Sequence, residues 1–228
     1  MNSERLNTAI CIFILSAIFA AQGLASHGNQ AGEDLLHRAN SMVKNIEHTT
    51  YSHKIYIDES KGIYKLDCSG FISYLLNETR PTAQAAIPHP GQQRPLAEDF
   101  YRYFKGLSKS PNKAGWSKVE YATDLNAGDI IAWLQPASSE DSGNTGHVMI
   151  VGGKPSVNSD RKKEVLVPVI DSTSSPHSDD SRRKGSSGLG KGTIGILTND
   201  KAKPVGFFWR GGLSEKPNYT KIAFGRMN

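Results

Sequence analysis

In the first half of the chain, hydrophobic residues recur at the three- and four-residue spacing that is typical of amphipathic helices. This spacing predicts a helix over residues 32–48, a second that begins at Asp67 and a third over residues 96–104. Residues 51–57 alternate less regularly, and we interpret them as extended. Residues 79–95 are rich in proline and poor in large hydrophobic side chains, which predicts an irregular insertion between two helices.

The second half has the pattern of short strands, because brief hydrophobic runs are bounded by residues that favour turns. After an extended segment near Trp116, the predicted strands cover residues 130–134, 146–153, 165–170, 193–197, 206–209 and 221–226. Helices followed by strands are typical of an α+β domain with a mostly antiparallel sheet. We therefore predict one such domain over residues 26–228.

Cys68 stands at the start of the second predicted helix. Asp67 is a suitable N-cap, and the apolar residues of this helix fall on a face that excludes the cysteine. In the first turn, unpaired backbone N–H groups and the helix dipole favour a thiolate over a thiol. A buried structural cysteine is the alternative interpretation. The polar position of Cys68 on its helix favours a reactive nucleophile.

Residues 1–25 have the organisation of a secretory signal peptide, with Arg5 before an apolar run and small residues before Ser26. The run is shorter than the roughly 20 residues that span a bilayer. We predict that the mature chain is exported, to the periplasm or outside the cell, and has no transmembrane segment. Cys68 would then be its single cysteine, which excludes an internal disulfide and a thiolate-rich zinc site.

The formal net charge of +5 and the pI of about 9.1 favour anionic partners. For an exported protein these would be cell-wall polymers or lipid headgroups rather than nucleic acid. We interpret the basic clusters at residues 161–163 and 182–184 as solvated loops, with a wall-polymer contact as the alternative. The glycine-rich residues 185–191 match only part of a phosphate-binding loop, and we interpret them as a flexible loop.

A cysteine nucleophile needs a base, and histidine is the usual one near neutral pH. Of seven histidines, His147 is preferred because it follows a glycine at the start of a predicted buried strand, although a half-buried core histidine is also consistent with that position. Asp171 ends the next predicted strand and would orient the imidazole if the two strands are neighbours. His177 and Asp129 are weaker alternatives, and Asp129 is more simply a turn residue.

Three motifs, in chain order, carry a resemblance to a known family. They are Asp-Cys-Ser-Gly-Phe at residues 67–71, Gly-Asp-Ile at residues 128–130 and Gly-His-Val at residues 146–148. Together they resemble the NlpC-type cell-wall cysteine peptidases, a papain-like superfamily. The resemblance implies N-terminal helices, with the cysteine helix packed on the sheet, and catalytic roles for Cys68, His147 and Asp171.

The resemblance also implies a substrate. Members of the family commonly hydrolyse amide bonds in peptidoglycan stem peptides, and the residues beside the cysteine, here Asp67 and Ser69, would bind the free amine of such a peptide. A tyrosine upstream of the cysteine would support the oxyanion, for which Tyr51 is the first choice and Tyr56 the alternative.

The sequence therefore predicts an exported, monomeric cysteine endopeptidase that forms a thioester acyl-enzyme and requires no metal or organic cofactor. Two alternatives remain open. One is an amidase or acyltransferase that uses the same three residues. The other is a non-catalytic wall-binding protein of the same fold, which would act through its basic loops.

Overall fold

The computed structural model describes residues 30–136 and 143–228. The predicted signal peptide over residues 1–25 lies outside these ranges. Across the described ranges, every helix is too short or too polar to cross a lipid bilayer.

Four α-helices are present in the described part of the chain. They are α1 (Gln30–Lys44), α2 (Cys68–Thr79), α3 (Pro81–Ala85) and α4 (Ala97–Gly106). The predicted N-cap of α2 is confirmed, because Asp67 Oδ1 accepts a hydrogen bond of 2.7 Å from the Gly70 backbone N–H. Helix α3 lies inside the predicted irregular insertion, and Pro81 begins it with a φ angle that suits the first helical turn.

A small sheet precedes the cysteine helix. Its strands are β1 (His48–Tyr51), β2 (Tyr56–Asp58) and β3 (Ile63–Leu66), in the spatial order β1, β3, β2. Strand β1 runs parallel to β3, whereas β2 is antiparallel to it. Strand β3 leads directly into Asp67 and Cys68, so this sheet fixes where α2 begins.

The remaining nine strands form one antiparallel sheet in the second half of the chain. They are β4 (Trp116–Val119), β5 (Ile130–Leu134), β6 (Gly146–Val151), β7 (Ser156–Val157), β8 (Glu164–Thr173), β9 (Gly188–Thr198), β10 (Pro204–Phe208), β11 (Asn218–Tyr219) and β12 (Ile222–Met227). Their order is β11, β10, β9, β8, β6, β5, β12, β4, with β7 paired to β8 beside this path. The last strand, β12, therefore inserts between β5 and β4.

Each face of the large sheet has its own hydrophobic core. Alternate residues of β5 and β6, such as Ile130 and Val148, pack with α1, α2 and α4. The residues between them, such as Ile131 and Met149, pack with β8, β9 and β10 side chains on the other face. This two-residue period places the strands between two hydrophobic layers.

The predicted papain-like α+β fold is wrong. The chain is mostly β, with a nine-stranded antiparallel sheet, a separate three-stranded sheet and helices of only 15, 12, 5 and 10 residues in the described ranges. One cause is the glycine-rich stretch at residues 185–191, predicted as a flexible loop. Most of its glycines belong to β9, which pairs with β8 from Gly188 to Leu197.

Candidate functional site

Cys68 lies at the N-terminus of α2 and is buried, with 4% of its surface exposed. Its position follows from the local sequence, because β3 ends at Leu66 and the Asp67 cap starts the helix one residue later. The thiol interacts with the side chains of His147 and Tyr51, which come from β6 and β1. Three elements thus meet at the sulfur.

His147 is the second residue of β6. Gly146 precedes it with a φ of +128°, and a Cβ at that position would lie 1.9 Å from the Trp133 carbonyl oxygen, so only glycine allows this approach to β5. The imidazole lies against the rings of Trp133 and Trp209, with centroid distances of 5.6 and 5.3 Å. This packing fixes the ring beside Cys68.

Asp171 holds the imidazole from the side of Nε2. The distance from His147 Nε2 to Asp171 Oδ2 is 2.6 Å, and the Asp171 side chain is completely buried. Strands β6 and β8 are neighbours, with Ile150 paired to Ile170, so Asp171 lies one residue beyond a paired position. With Nε2 on the carboxylate, Nδ1 is the ring nitrogen left for Cys68.

The pKa values follow from these contacts. Burial by itself lowers the pKa of His147, but the charge of Cys68 and the hydrogen bond with Asp171 outweigh it and raise the pKa to about 10. Burial by itself raises the pKa of Asp171, yet the neighbouring His177, His147 and Arg182 hold it well below its usual range. The geometry therefore supports an imidazolium beside Cys68 and a carboxylate at Asp171.

His177 is a second histidine on the same carboxylate. Its Nε2 lies 2.9 Å from Asp171 Oδ2, and its Nδ1 lies 3.0 Å from the Trp209 carbonyl oxygen. Both ring nitrogens therefore lie within hydrogen-bond distance of oxygen atoms. His177 was the alternative third residue of the triad, and the structure places its Nε2 on the same Asp171 oxygen that His147 contacts.

Arg182 is buried, contrary to its interpretation as part of a solvated basic cluster. Its guanidinium donates to Asp171 Oδ1 at 2.9 Å, to the Gly188 carbonyl oxygen at 2.8 Å and to both carboxylate oxygens of Asp180. The side chain passes over Gly190, where an added Cβ would lie 2.7 Å from Arg182 Nε. Arg182 thus compensates the buried charge of Asp171.

Tyr51 ends β1 and interacts with Cys68, whereas Tyr56 is half exposed on β2. Burial, together with the negative charges of Cys68 and Asp67, raises the pKa of Tyr51, so its hydroxyl keeps a proton for donation. A cavity of about 120 Å³ adjoins this site, and its lining includes Tyr51, His147 and Trp209. Of the two candidate tyrosines, Tyr51 is the one beside the sulfur.

Asp67 and Ser69, the predicted amine-binding residues, have partners inside the protein. Asp67 Oδ1 accepts from Gly70 and Ser69, and Asp67 Oδ2 lies 3.0 Å from His53 Nδ1 and 2.6 Å from Arg94. Ser69 Oγ accepts a second Arg94 hydrogen bond at 2.5 Å. Both flanks of Cys68 are therefore tied to Arg94.

Asp129, the other alternative, lies elsewhere in the fold. Its carboxylate accepts from Arg226 on β12 at 2.9 and 2.8 Å and from the Asn126 backbone N–H at 2.7 Å. It fixes the turn before β5, which agrees with its interpretation as a turn residue.

Three side chains at the site could hold a metal ion. Ligand atoms of His147, Asp171 and His177 lie within 4.8 Å of one another. However, the Arg182 guanidinium on the same carboxylate opposes a divalent cation electrostatically, and both histidines already use Nε2 for Asp171. The arrangement suits thiol chemistry better than metal binding.

Sequence reasoning missed Arg94, His53, His177's neighbour Trp209 and the role of Arg182. Arg94 lies in the proline-rich stretch, and Arg182 lies in a run of three basic residues that resembles solvated surface. Asp180 gave a partial signal for the role of Arg182, because it precedes Arg182 by two residues and pairs with it.

Comparison with known proteins finds a viral relative of uncharacterized function. The chain is 28% identical over 180 residues to the uncharacterized protein R653 of Acanthamoeba polyphaga mimivirus, a match that covers 71% of this chain and 76% of that protein. No family model matches the sequence. No solved structure matches it either.

Proposed function

We propose that this protein is an exported cysteine peptidase that hydrolyses amide bonds in peptidoglycan stem peptides. The observation that supports the chemistry best is the hydrogen bond of 2.6 Å between His147 Nε2 and the fully buried Asp171, on an imidazole that also interacts with Cys68. A nucleophile, a base and a group that orients the base are the parts that covalent acyl transfer needs.

In the first half of the reaction, the Cys68 thiolate would attack the carbonyl carbon of the substrate amide. Tyr51 and the backbone N–H groups of the first turn of α2 would donate hydrogen bonds to the oxyanion. As the C–N bond breaks, His147 would give its proton to the leaving amine nitrogen. The product of this half is a thioester on Cys68 and a free amine.

In the second half, His147 would take a proton from water, and the resulting hydroxide would attack the thioester carbonyl. The C–S bond then breaks, which restores the Cys68 thiolate, and the acyl group leaves as a carboxylic acid that loses its proton to solvent. Asp171 would hold the imidazole in one orientation through both halves, and Arg182 and His177 would keep Asp171 ionised.

The substrate class rests on the motifs at residues 67–71 and 146–148, which resemble those of NlpC-type cell-wall peptidases. A net charge of +5 favours an anionic polymer such as the wall, and the predicted signal peptide would bring the enzyme to it. The substrate class is proposed from these features of the sequence and not from the mostly β fold.

The test is mass spectrometry of purified peptidoglycan after incubation with the protein, with Cys68→Ala as the matched variant. We expect new stem-peptide fragments with the intact cysteine alone, and their masses would name the cleaved bond. Release of intact stem peptides from the sugar chain would instead indicate an amidase. Identical products from both proteins would contradict the proposal and favour the non-catalytic wall-binding alternative.

A further inference from the structure

A groove of about 660 Å³ opens beside the N-terminus of α2, separate from the small cavity at His147. We call it the Arg94 groove. Its lining includes His53, Lys54, Ile55, Gly70, Ser73 and Arg94. Because Gly70 and Ser73 belong to the cysteine helix, the groove follows the same helix that carries the nucleophile.

Arg94 connects this groove to the nucleophile. Its guanidinium contacts Asp67 Oδ2 at 2.6 Å and Ser69 Oγ at 2.5 Å, the residues on either side of Cys68. His53 contacts the same oxygen of Asp67, and its ring also lies 5.5 Å from the ring of Tyr51. A substrate bound at Cys68 would therefore extend past Tyr51 and His53 into the groove.

The charge of the groove is positive. Lys54 and Arg94 line it, His53 is exposed on its rim, and none of the lining residues is acidic. The buried Asp67 carboxylate already has hydrogen-bond partners in Gly70, Ser69, His53 and Arg94. Two other carboxylates, those of Glu59 and Glu78, interact with the Tyr74 hydroxyl, and both are paired with Arg38.

Hydrogen-bond donors remain available in the groove. In the described part of the chain, Arg94 uses three N–H groups, for Asp67, Ser69 and the Pro95 carbonyl oxygen, whereas a guanidinium has five. The Ser73 hydroxyl, although buried, has no hydrogen-bond partner among those residues. An unsatisfied buried hydroxyl is uncommon in folded proteins and requires an explanation.

We propose that the Arg94 groove binds a carboxylate group of the substrate, next to the bond that Cys68 cleaves. This inference rests on the proposed function and specifies its substrate. A free amine, the ligand implied for Asp67 and Ser69, would meet the guanidinium of Arg94 and be repelled. An acidic segment would instead receive charge-assisted hydrogen bonds from Arg94, supported by Lys54.

The test compares alkylation of Cys68 by iodoacetate and iodoacetamide, which differ in one carboxylate. The readout is the ratio of the two rates, measured by mass spectrometry of the modified protein at constant ionic strength. His147 also attracts iodoacetate, so the effect of Arg94 is read from variants and not from the wild-type ratio alone.

The variants are compared within an Asp67→Asn background, because removing Arg94 alone would leave Asp67 uncompensated beside the sulfur. Asparagine is also a good N-cap, so α2 keeps its start. We expect the ratio of the iodoacetate rate to the iodoacetamide rate to be about fivefold lower in Asp67→Asn/Arg94→Gln than in Asp67→Asn. This is the effect expected from the loss of one partly exposed positive charge. Arg102→Gln, on the exposed face of α4, is the matched control and should leave the ratio unchanged.

An unchanged ratio on removal of Arg94, with both reagents still reacting rapidly, would overturn the carboxylate site and leave the thiol chemistry intact. If wild-type Cys68 reacts with neither reagent, the proposed function fails. The groove is then tested in Cys68→Ala protein by NMR titration with succinate. Shifts centred on Gly70, Ser73 and Arg94 that vanish in Arg94→Gln support the site, and shifts elsewhere or none overturn it.

Discussion

At Asp171, one buried carboxylate accepts hydrogen bonds from two imidazoles and a guanidinium. Such a carboxylate stays ionised because three donors replace the water that burial removes. The charge of Asp171 also acts on His147, the residue beside Cys68, and contributes to raising the pKa of His147 to about 10. Residues that do not contact the sulfur therefore contribute to the raised pKa of the imidazole beside it.

The pH dependence of hydrolysis is expected to reflect this raised pKa. His147 keeps its proton until the pH approaches about 10, so the imidazolium that protonates the leaving amine is present throughout the neutral range. We expect kcat/KM to fall only as the pH rises through about 10. Rates measured from pH 6 to pH 11 check this, and an alkaline decline centred near pH 7 would contradict the assigned role of His147.

Tyr51→Phe tests the oxyanion donor. Since the hydroxyl keeps its proton and lies beside Cys68, its removal is expected to lower kcat about 100-fold, the usual effect of losing one such donor. KM and the rate of Cys68 alkylation should change little, because the sulfur and its base remain.

The matched control is Tyr56→Phe, on an exposed tyrosine of β2. It should leave kcat unchanged. Equal values of kcat for Tyr51→Phe and wild type would show that the first turn of α2 suffices for the oxyanion.

At the scale of elements, the paired strands β8 and β9 hold the site from behind. Asp171 lies on β8, and Arg182 reaches it by passing over β9 at Gly190. A glycine in a strand is usually unfavourable, but here it leaves the space for a buried guanidinium. The pairing of β8 with β9 thus places the guanidinium that helps to keep Asp171 ionised.

Gly190→Ala is expected to displace Arg182, because the new Cβ would lie 2.7 to 3.0 Å from three of its side-chain atoms. We expect the free energy of unfolding to fall by about 2 to 3 kcal/mol through the weakened buried ion pair. Denaturant unfolding measures this change.

Gly153→Ala is the control for that experiment, since its Cβ would meet only ordinary contacts with Pro168 at 3.5 and 3.6 Å. It should change the free energy of unfolding by less than about 0.5 kcal/mol. A Gly190→Ala protein as stable as the control would show that Arg182 has room to move.

The helices and strands that could be predicted from the sequence are those that depend on residues close together in the chain. Helix α2 with its Asp67 cap and strand β5 were predicted from spacing and turn residues, because both depend on neighbours in the chain. Strand β9 was predicted only in part, at residues 193–197. Its first residues were assigned to a loop, since their glycines are explained only by Arg182, which the fold brings over them. The insertion of β12 between β4 and β5 is likewise a non-local pairing.

The same distinction applies to the candidate site. Cys68, His147 and Asp171 were selected from local motifs, and the structure brings them together. Arg94 and His53 were not selected, because their approach to Asp67 depends on a loop whose sequence gives no periodic signal. Side chains that contact the nucleophile's neighbours are thus harder to predict than the nucleophile.

For the whole molecule, the buried charges at the site predict a response to acid. Asp171 has a pKa far below its value in an unfolded chain, so its contribution to stability is fully present above about pH 4 and is lost as the pH falls below that value. The unfolded chain then binds a proton that the folded chain excludes.

We expect the free energy of unfolding of the wild type to decline more steeply below pH 4 than that of Asp171→Asn, by up to about 1.4 kcal/mol per pH unit. The comparison uses the difference in slope, because the variant also removes one of the two carboxylates that pair with Arg182 and is less stable at every pH. Parallel slopes from pH 4 to pH 2, measured by urea unfolding, would contradict the depressed pKa of Asp171.

The long separation along the chain between Cys68 and Arg182 has a consequence for the cell that makes this protein. During synthesis the thiol emerges first and the histidine follows 79 residues later. The carboxylate and the guanidinium follow more than a hundred residues after the cysteine. Until the strands that carry them have paired, the chain holds an ordinary thiol. Under the proposed function, completion of the fold would itself act as the activation step, so the unfolded chain would be latent.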